Sequence, residues 1–239
     1  PLGLTIWAVQ MAWIPIFAAG VINGIGHYWG YRNFETADAS TNIMPWGILI
    51  GGEELHNNHH AFGSSAKFSV KPWEFDLGWM YIRIMETFGL ATVRKLAPAR
   101  PAVDEAKSAI DFETLKAVAG NRLHVMADFG RMVVKRVHRE ELARAGADLK
   151  PALKPLRRLL LRAEERLNDA ERDRLQSTLP LSQPLAVVYG FRQRLQDIYE
   201  QRAASKENLL NLLQDWCQQA ETTGIQALQD FARTLRGYT

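Results

Sequence analysis

The sequence predicts an all-α chain in two unlike parts, a membrane-associated part followed by a charged helical tail. Three observations predict it. No charged residue occurs before Arg32, and residues 4–27 form one apolar run. Apolar residues recur at three- and four-residue spacing through most of residues 112–235, the period of helices with one buried face. Composition also changes abruptly near residue 100. Residues 1–100 hold seven basic and seven acidic residues and six of the seven tryptophans, whereas residues 101–239 hold 22 basic, 19 acidic and one tryptophan. The junction is Ala97-Pro98-Ala99-Arg100-Pro101, where two prolines disfavour a continuous helix. The expected domains are therefore residues 1–98 and 101–239.

The first element is the apolar run. Its 24 residues give about 36 Å of helix, against a hydrocarbon core of about 30 Å. Trp7, Trp13, Tyr28, Trp29 and Tyr31 include rings suited to membrane interfaces, and Pro15 is tolerated in a lipid-embedded helix. Asn23 and His27, at i and i+4, share a face where the run ends. Residues 32–42 read as a polar loop. Residues 43–52 are apolar but too short to span, and lead towards the next helix.

That helix carries His56, His59 and His60, at i, i+3 and i+4, which share one face. Neutral imidazole is the commonest nitrogen ligand for metals, and four of the six histidines fall within the first 60 residues. His27 alone would be an interfacial histidine; coupled to this box it reads as a ligand. Glu53, three residues before His56, either supports that imidazole or is an ordinary acidic first turn. Residues 61–73 are loop-like. Residues 79–91 return as an aromatic interfacial or core helix in which Arg83 and Glu86 can pair.

These motifs occur in a recognisable order. Asn23-x-x-x-His27, Gly30-Tyr31-Arg32, Gly52-Glu53-x-x-His56-Asn57-x-His59-His60 and Phe62, then Gly89-Leu90-Ala91 and Arg94-Lys95, resemble the last part of the membrane fatty-acid (acyl-CoA) desaturases. The resemblance covers residues 4–98. It implies a desaturase-type helical membrane domain in which iron at a di-iron centre is held by His27, His56, His59 and His60, with Asn23 acting through water. No residue is assigned a catalytic or cofactor-binding role beyond these ligands.

It further implies an O2-dependent enzyme placing a cis double bond in an acyl chain carried on CoA or a phospholipid. Electrons would come from a ferredoxin, rubredoxin or cytochrome b5 type of partner, and membrane lipids would surround it. An integral protein of the bacterial inner membrane is expected, with metal site and tail cytoplasmic. The family has two further histidine boxes, which residues 1–239 do not supply. With a first residue of Pro1, the chain is expected to be the carboxyl-terminal portion of such an enzyme, holding half the ligand set and inactive alone.

The tail carries no comparable chemistry. Residues 112–144 read as one or two amphipathic helices, and residues 153–175 are dense in Leu and Arg. Residues 179–184 break the chain, and residues 185–202 and 206–235 read as two helices, with a possible break at Gly224. There is no Gly-rich phosphate loop, Cys/His ligand set or catalytic triad. Lone Cys217 excludes an internal disulfide and a cysteine-rich metal site, and fits a reducing compartment. The basic cluster at Lys154, Arg157 and Arg158, with Arg162, reads as a solvated helix face, with anionic headgroups beside the membrane or nucleic acid as the alternatives.

Residues 187–238 resemble helical tails of bacterial insertion-sequence transposases, without a carboxylate triad that can be placed. The mild net charge of +3 does not call for nucleic acid, which is not an expected partner. The tail reads as an appendage for docking, self-association or regulation. Two alternatives stand beside the desaturase: a membrane di-iron acyl hydroxylase, and a non-catalytic membrane-tethered interaction or nucleic-acid-binding helical protein.

Overall fold

The computed structural model describes residues 2–201 and 205–239. Helix accounts for 62% of the chain, and among the described residues the one sheet joins two strands of two residues each, so the chain is all-α. It divides into two compact units, Pro1–Ala99 and Arg100–Thr239.

In the first unit, helix α1 (Leu2–Ile14) continues as a π-helix over Pro15–Ile25. Together they form a 24-residue helix long and apolar enough to cross a membrane. It keeps its side chains outward: Leu2 is 74% exposed, Trp7, Ile14 and Ile16 are exposed, and only Ile22 is buried. The histidine helix α2 is short, His56–Ala61, because the polypeptide before it turns through glycines instead of extending a helix. Gly51 and Gly52 there have φ of 64° and 106°, values that favour glycine. Strands β1 (Trp46–Gly47) and β2 (Phe75–Asp76) pair in parallel, Trp46 opposite Phe75. Helix α3 (Leu77–Thr87) is capped by Asp76, whose side chain accepts from Trp79 N–H, and carries the expected Arg83–Glu86 pair. It buries no residue, so of the two roles read for this stretch the core helix is not realised among the described residues.

The interior of this unit is polar. Phe34, Ile43 and Leu55 are buried there with Ser40, Asn42, Glu54, His56, Asn57, Asn58 and Glu74. Buried polar groups are tolerable only when hydrogen-bonded, and a dense network supplies the bonds.

The second unit has a conventional apolar core. Helices α4 (Phe112–Gly120) and α5 (Arg122–Phe129) lead through a π-helical turn (Gly130–Val134) into α6 (Lys135–Arg144). The Leu/Arg-rich stretch does not form one helix. Pro155 lies within it and Pro151 just before it, and the structure divides this region into α7 (Lys150–Leu153), α8 (Leu156–Leu161) and α9 (Asp169–Thr178). Asn168 and Glu171 form a capping box that starts α9.

Helix α10 (Gln183–Glu200) follows the expected break; the expected end at Arg202 lies outside the described residues. Helices α11 (Lys206–Thr222) and α12 (Gln226–Arg236) are separated at Gly224, whose φ is 73°. Phe129, Leu195, Leu213, Leu228, Phe231 and Leu235 pack in one core, with Trp216 edge-on to Phe191 and Phe231. The two ends of the unit meet where Val103 bridges Tyr238.

Candidate metal centre

His27 lies in the turn just past the long helix, and its position is held from outside that helix. Thr41 N–H and its hydroxyl both bond the carbonyl of Gly26 (2.6 and 2.9 Å), and the hydroxyl also lies 2.8 Å from the carbonyl of Trp29. Gly26 allows the closest approach. A Cβ there would stand 3.1 Å from Cδ2 of His56, tighter than ordinary packing.

Helix α2 is locked by the two asparagines inside the histidine box. Asn57 Oδ1 accepts from the N–H groups of Asn33 and Phe34 (2.8 and 2.9 Å), and its Nδ2 donates to the carbonyl of Phe34 (3.0 Å). Asn58 Oδ1 accepts from Nδ2 of Asn33 and of Asn42, while its own Nδ2 donates to Glu74 Oε2 (2.9 Å). Glu74 also accepts from the Tyr31 hydroxyl (2.8 Å) and from the N–H groups of Val70 and Lys71. Burial, and then the Glu74 carboxylate, push the Tyr31 hydroxyl far above its ordinary range, so it stays a donor.

The result is a convergence of imidazoles. Ligand atoms of His27, His56 and His60 all lie within 4.8 Å of one another. Nε2 of His27 and Nε2 of His56 are 3.0 Å apart. Two ring nitrogens each ~2.1 Å from one ion sit roughly 3 Å apart, so this spacing fits two ligands of a shared metal. His56 is 3% exposed, and burial, then the neighbouring histidines, push its pKa down to about 4. A neutral imidazole with a free lone pair is the state a metal requires. Its Nδ1 is buried with no hydrogen-bond partner, 4.0 Å from Glu53 Oε2.

His60 Nδ1 is 2.5 Å from Asp38 Oδ2, which turns the opposite ring edge towards the cluster. Asp38 is itself held: Oδ1 accepts from the Thr36 hydroxyl and from Ser40 N–H, both 2.9 Å. Burial works to raise this carboxyl, but the bonds from Ser40, His60 and Thr36 hold it well below the usual carboxylate range.

The remaining two residues of the expected set lie apart. His59 turns to the other side of α2, packing edge-on against Phe68 with its Nδ1 buried and unpartnered. Asn23 is exposed, and its amide donates to Ala18 O in its own helix (3.0 Å). The supports at Asp38, Asn57, Asn58 and Glu74 were missed by sequence reasoning. The pattern His-Asn-Asn-His-His was the available signal for two of them, since unpaired asparagines beside ligands must be satisfied if buried.

Comparison with known proteins gives two different relationships. The chain is 39% identical over 92 residues to the sn-1 stearoyl-lipid 9-desaturase of Anabaena variabilis, covering 38% of this chain and 31% of that protein. It is 43% identical over 76 residues to Delta-9 acyl-lipid desaturase 1 of Arabidopsis thaliana, 32% of this chain and 25% of that one. It is 40% identical over 92 residues to the icosanoyl-CoA 5-desaturase of Limnanthes douglasii, 38% and 26%. The chain thus spans about a quarter to a third of the length of these curated relatives. No solved structure matches. Residues 116–239 match the profile of a transposase family, so the likeness read from residues 187–238 reaches further upstream. That match takes in just over half of the 239 residues, and by it the chain belongs to the transposase family, while its desaturase relationship is one of partial similarity.

Proposed function

We propose that residues 1–98 are the final histidine-box portion of an O2-dependent acyl desaturase, embedded in a membrane through Leu2–Ile25. The observation carrying this reading is the convergence of His27, His56 and His60, together with similarity to desaturases that name both acyl-lipid and acyl-CoA substrates. His27, His56 and His60 would hold one iron. His59, turned aside with an unpartnered nitrogen, and Asn23 through water would serve a second.

The chemistry a di-iron centre would supply when bound is four-electron reduction of O2 to two waters, with two hydrogen atoms taken from adjacent acyl C–H bonds, and two electrons from a redox partner of ferredoxin, rubredoxin or cytochrome b5 type with two protons from solvent. The protein's own residues keep buried His56 neutral and aim the ligands. Four imidazoles and one amide cannot fill two iron coordination spheres, so residues 1–239 alone are proposed to be inactive. An inner-membrane location, with the metal site and residues 101–239 on the cytoplasmic side, completes the proposal.

Iron quantification on the full chain in detergent tests the ligand assignment. His27→Ala, His56→Ala and His60→Ala are each expected to lower bound iron, and content unchanged by all three overturns it. Product analysis of the enzyme completed with its missing ligands separates desaturation from hydroxylation, since hydroxylated acyl chains in place of alkenes exclude the desaturase.

A second reading concerns residues 116–239, and the family match favours it. That reading is nucleic-acid binding rather than catalysis, because among the described residues no group of carboxylates converges in the helical unit. Binding of duplex DNA with a steep fall as salt rises is the expected outcome.

A further inference from the structure

The Leu/Arg-rich stretch has a use that neither reading absorbs. Because it breaks into short helices, its exposed cations come from separate helices rather than from one helix face. They line a cleft of about 490 Å3 in the helical unit, with Lys154 after α7, Arg157 and Arg158 on α8, Arg174 on α9, and His138 of α6 at its wall. This volume is within the ~300–1,000 Å3 of small-molecule sites.

Charge pairing around the cleft is uneven. Neighbouring arginines are answered by carboxylates: Arg162 by Glu171 (2.6 Å), Arg172 by Asp169 (3.0 Å), Arg136 by Glu140 and Asp230. Lys154, Arg157, Arg158 and Arg174 make no ion pair with any carboxylate among the described residues. Glu171 also lines the cleft, but both its oxygens are occupied, Oε1 by Arg162 and Oε2 by Asn168 N–H (3.2 Å). His138 is 6% exposed, and its Nε2 is 2.9 Å from Leu153 O, where it donates; its ring is therefore fixed.

Four cations around one concavity raise its positive potential, which an anion held there would offset. Guanidinium groups match phosphate oxygens in pairs, and Lys154 adds a compact charge. The lining contains no Phe, Tyr or Trp ring, its one imidazole, His138, is buried and tied to Leu153 O, and the site is concave rather than an extended stripe.

We propose that this cleft binds a compact, multiply charged phosphate anion, of the pyrophosphate or polyphosphate class, through Lys154, Arg157, Arg158 and Arg174. The probe is inorganic pyrophosphate, titrated calorimetrically into the full chain in a neutral detergent. One anion per chain is expected to bind. Arg158→Glu and Arg174→Glu, both at exposed positions, are each expected to weaken binding roughly tenfold or more, the size of one charge-assisted contact, with helix content unchanged.

A second measurement needs no variant. Pyrophosphate should protect Lys154 from acylation, read by mass spectrometry, while the exposed Lys206 reacts as before. The absence of saturable binding, or binding untouched by both reversals with Lys154 unprotected, overturns the proposal. A 20-base-pair duplex that protects Lys154 where pyrophosphate does not also overturns it, and assigns the cleft to nucleic-acid backbone.

Discussion

Asp38 and His60 show how much of the candidate centre rests on single contacts. His60 is partly exposed, and an unsupported ring there would sample several rotamers and both tautomers. The Asp38 carboxylate, 2.5 Å from Nδ1, selects the tautomer that leaves Nε2 free for a metal. Asp38→Ala is expected to weaken metal affinity about 10- to 100-fold, the usual effect of losing such a support. Cobalt titration followed by visible absorption checks this, and Asp38→Glu should restore part of the affinity. His59 is the complementary case. At 100° per residue, His59 and His60 fall on opposite sides of His56, fanned over roughly 100° of the helix surface. The side on which His27 stands selects His60, and His59 faces Phe68 instead. The ligand types were legible in the spacing. Which three meet was not, because the choice depends on a residue 29 positions earlier in the chain.

At the scale of elements, local pattern predicted most boundaries and failed where tertiary bonds replaced helix. The apolar run became Leu2–Ile25, and the break at Gly224 follows from a φ of 73°. The histidine helix is shorter than its pattern suggested. Residues 46–54 instead form a strand and glycine turns, held by Glu54 Oε1 accepting from the N–H groups of Leu49 and Ile50 (2.5 and 3.0 Å). The Leu/Arg stretch broke into short helices, and Arg162 and Arg166 do not share one continuous helix. Arg162 donates to the carbonyl of Arg166. The long helix supports its own prediction. Ile14 is 55% exposed near its middle, and Ile14→Lys is expected to cost about 3–4 kcal/mol of membrane insertion. A glycosylation-mapping assay of insertion reads that difference; unchanged insertion would show that this helix does not span.

For the whole molecule, the two units use opposite building rules. The first is polar inside and apolar outside; the second buries leucine, valine and aromatic side chains. Phe231 is fully buried, 5.2 Å from Phe129 and 5.9 Å from Trp216 between ring centroids. Phe231→Ala is expected to destabilise the helical unit by about 3–5 kcal/mol, measured by denaturant unfolding. Cys217 reports on the same core: burial pushes its thiol up to about 12, so Ellman's reagent should label it only after unfolding.

The all-helical class, the apolar run, the change in composition near residue 100 and the imidazole-rich segment are written in neighbouring residues, because periodicity and charge act over one or two turns. Which imidazoles converge, which carboxylate steadies them and which cations are left without partners were decided by tertiary structure. Those contacts join residues 16 to 29 positions apart, and only the folded path brings them within hydrogen-bond reach.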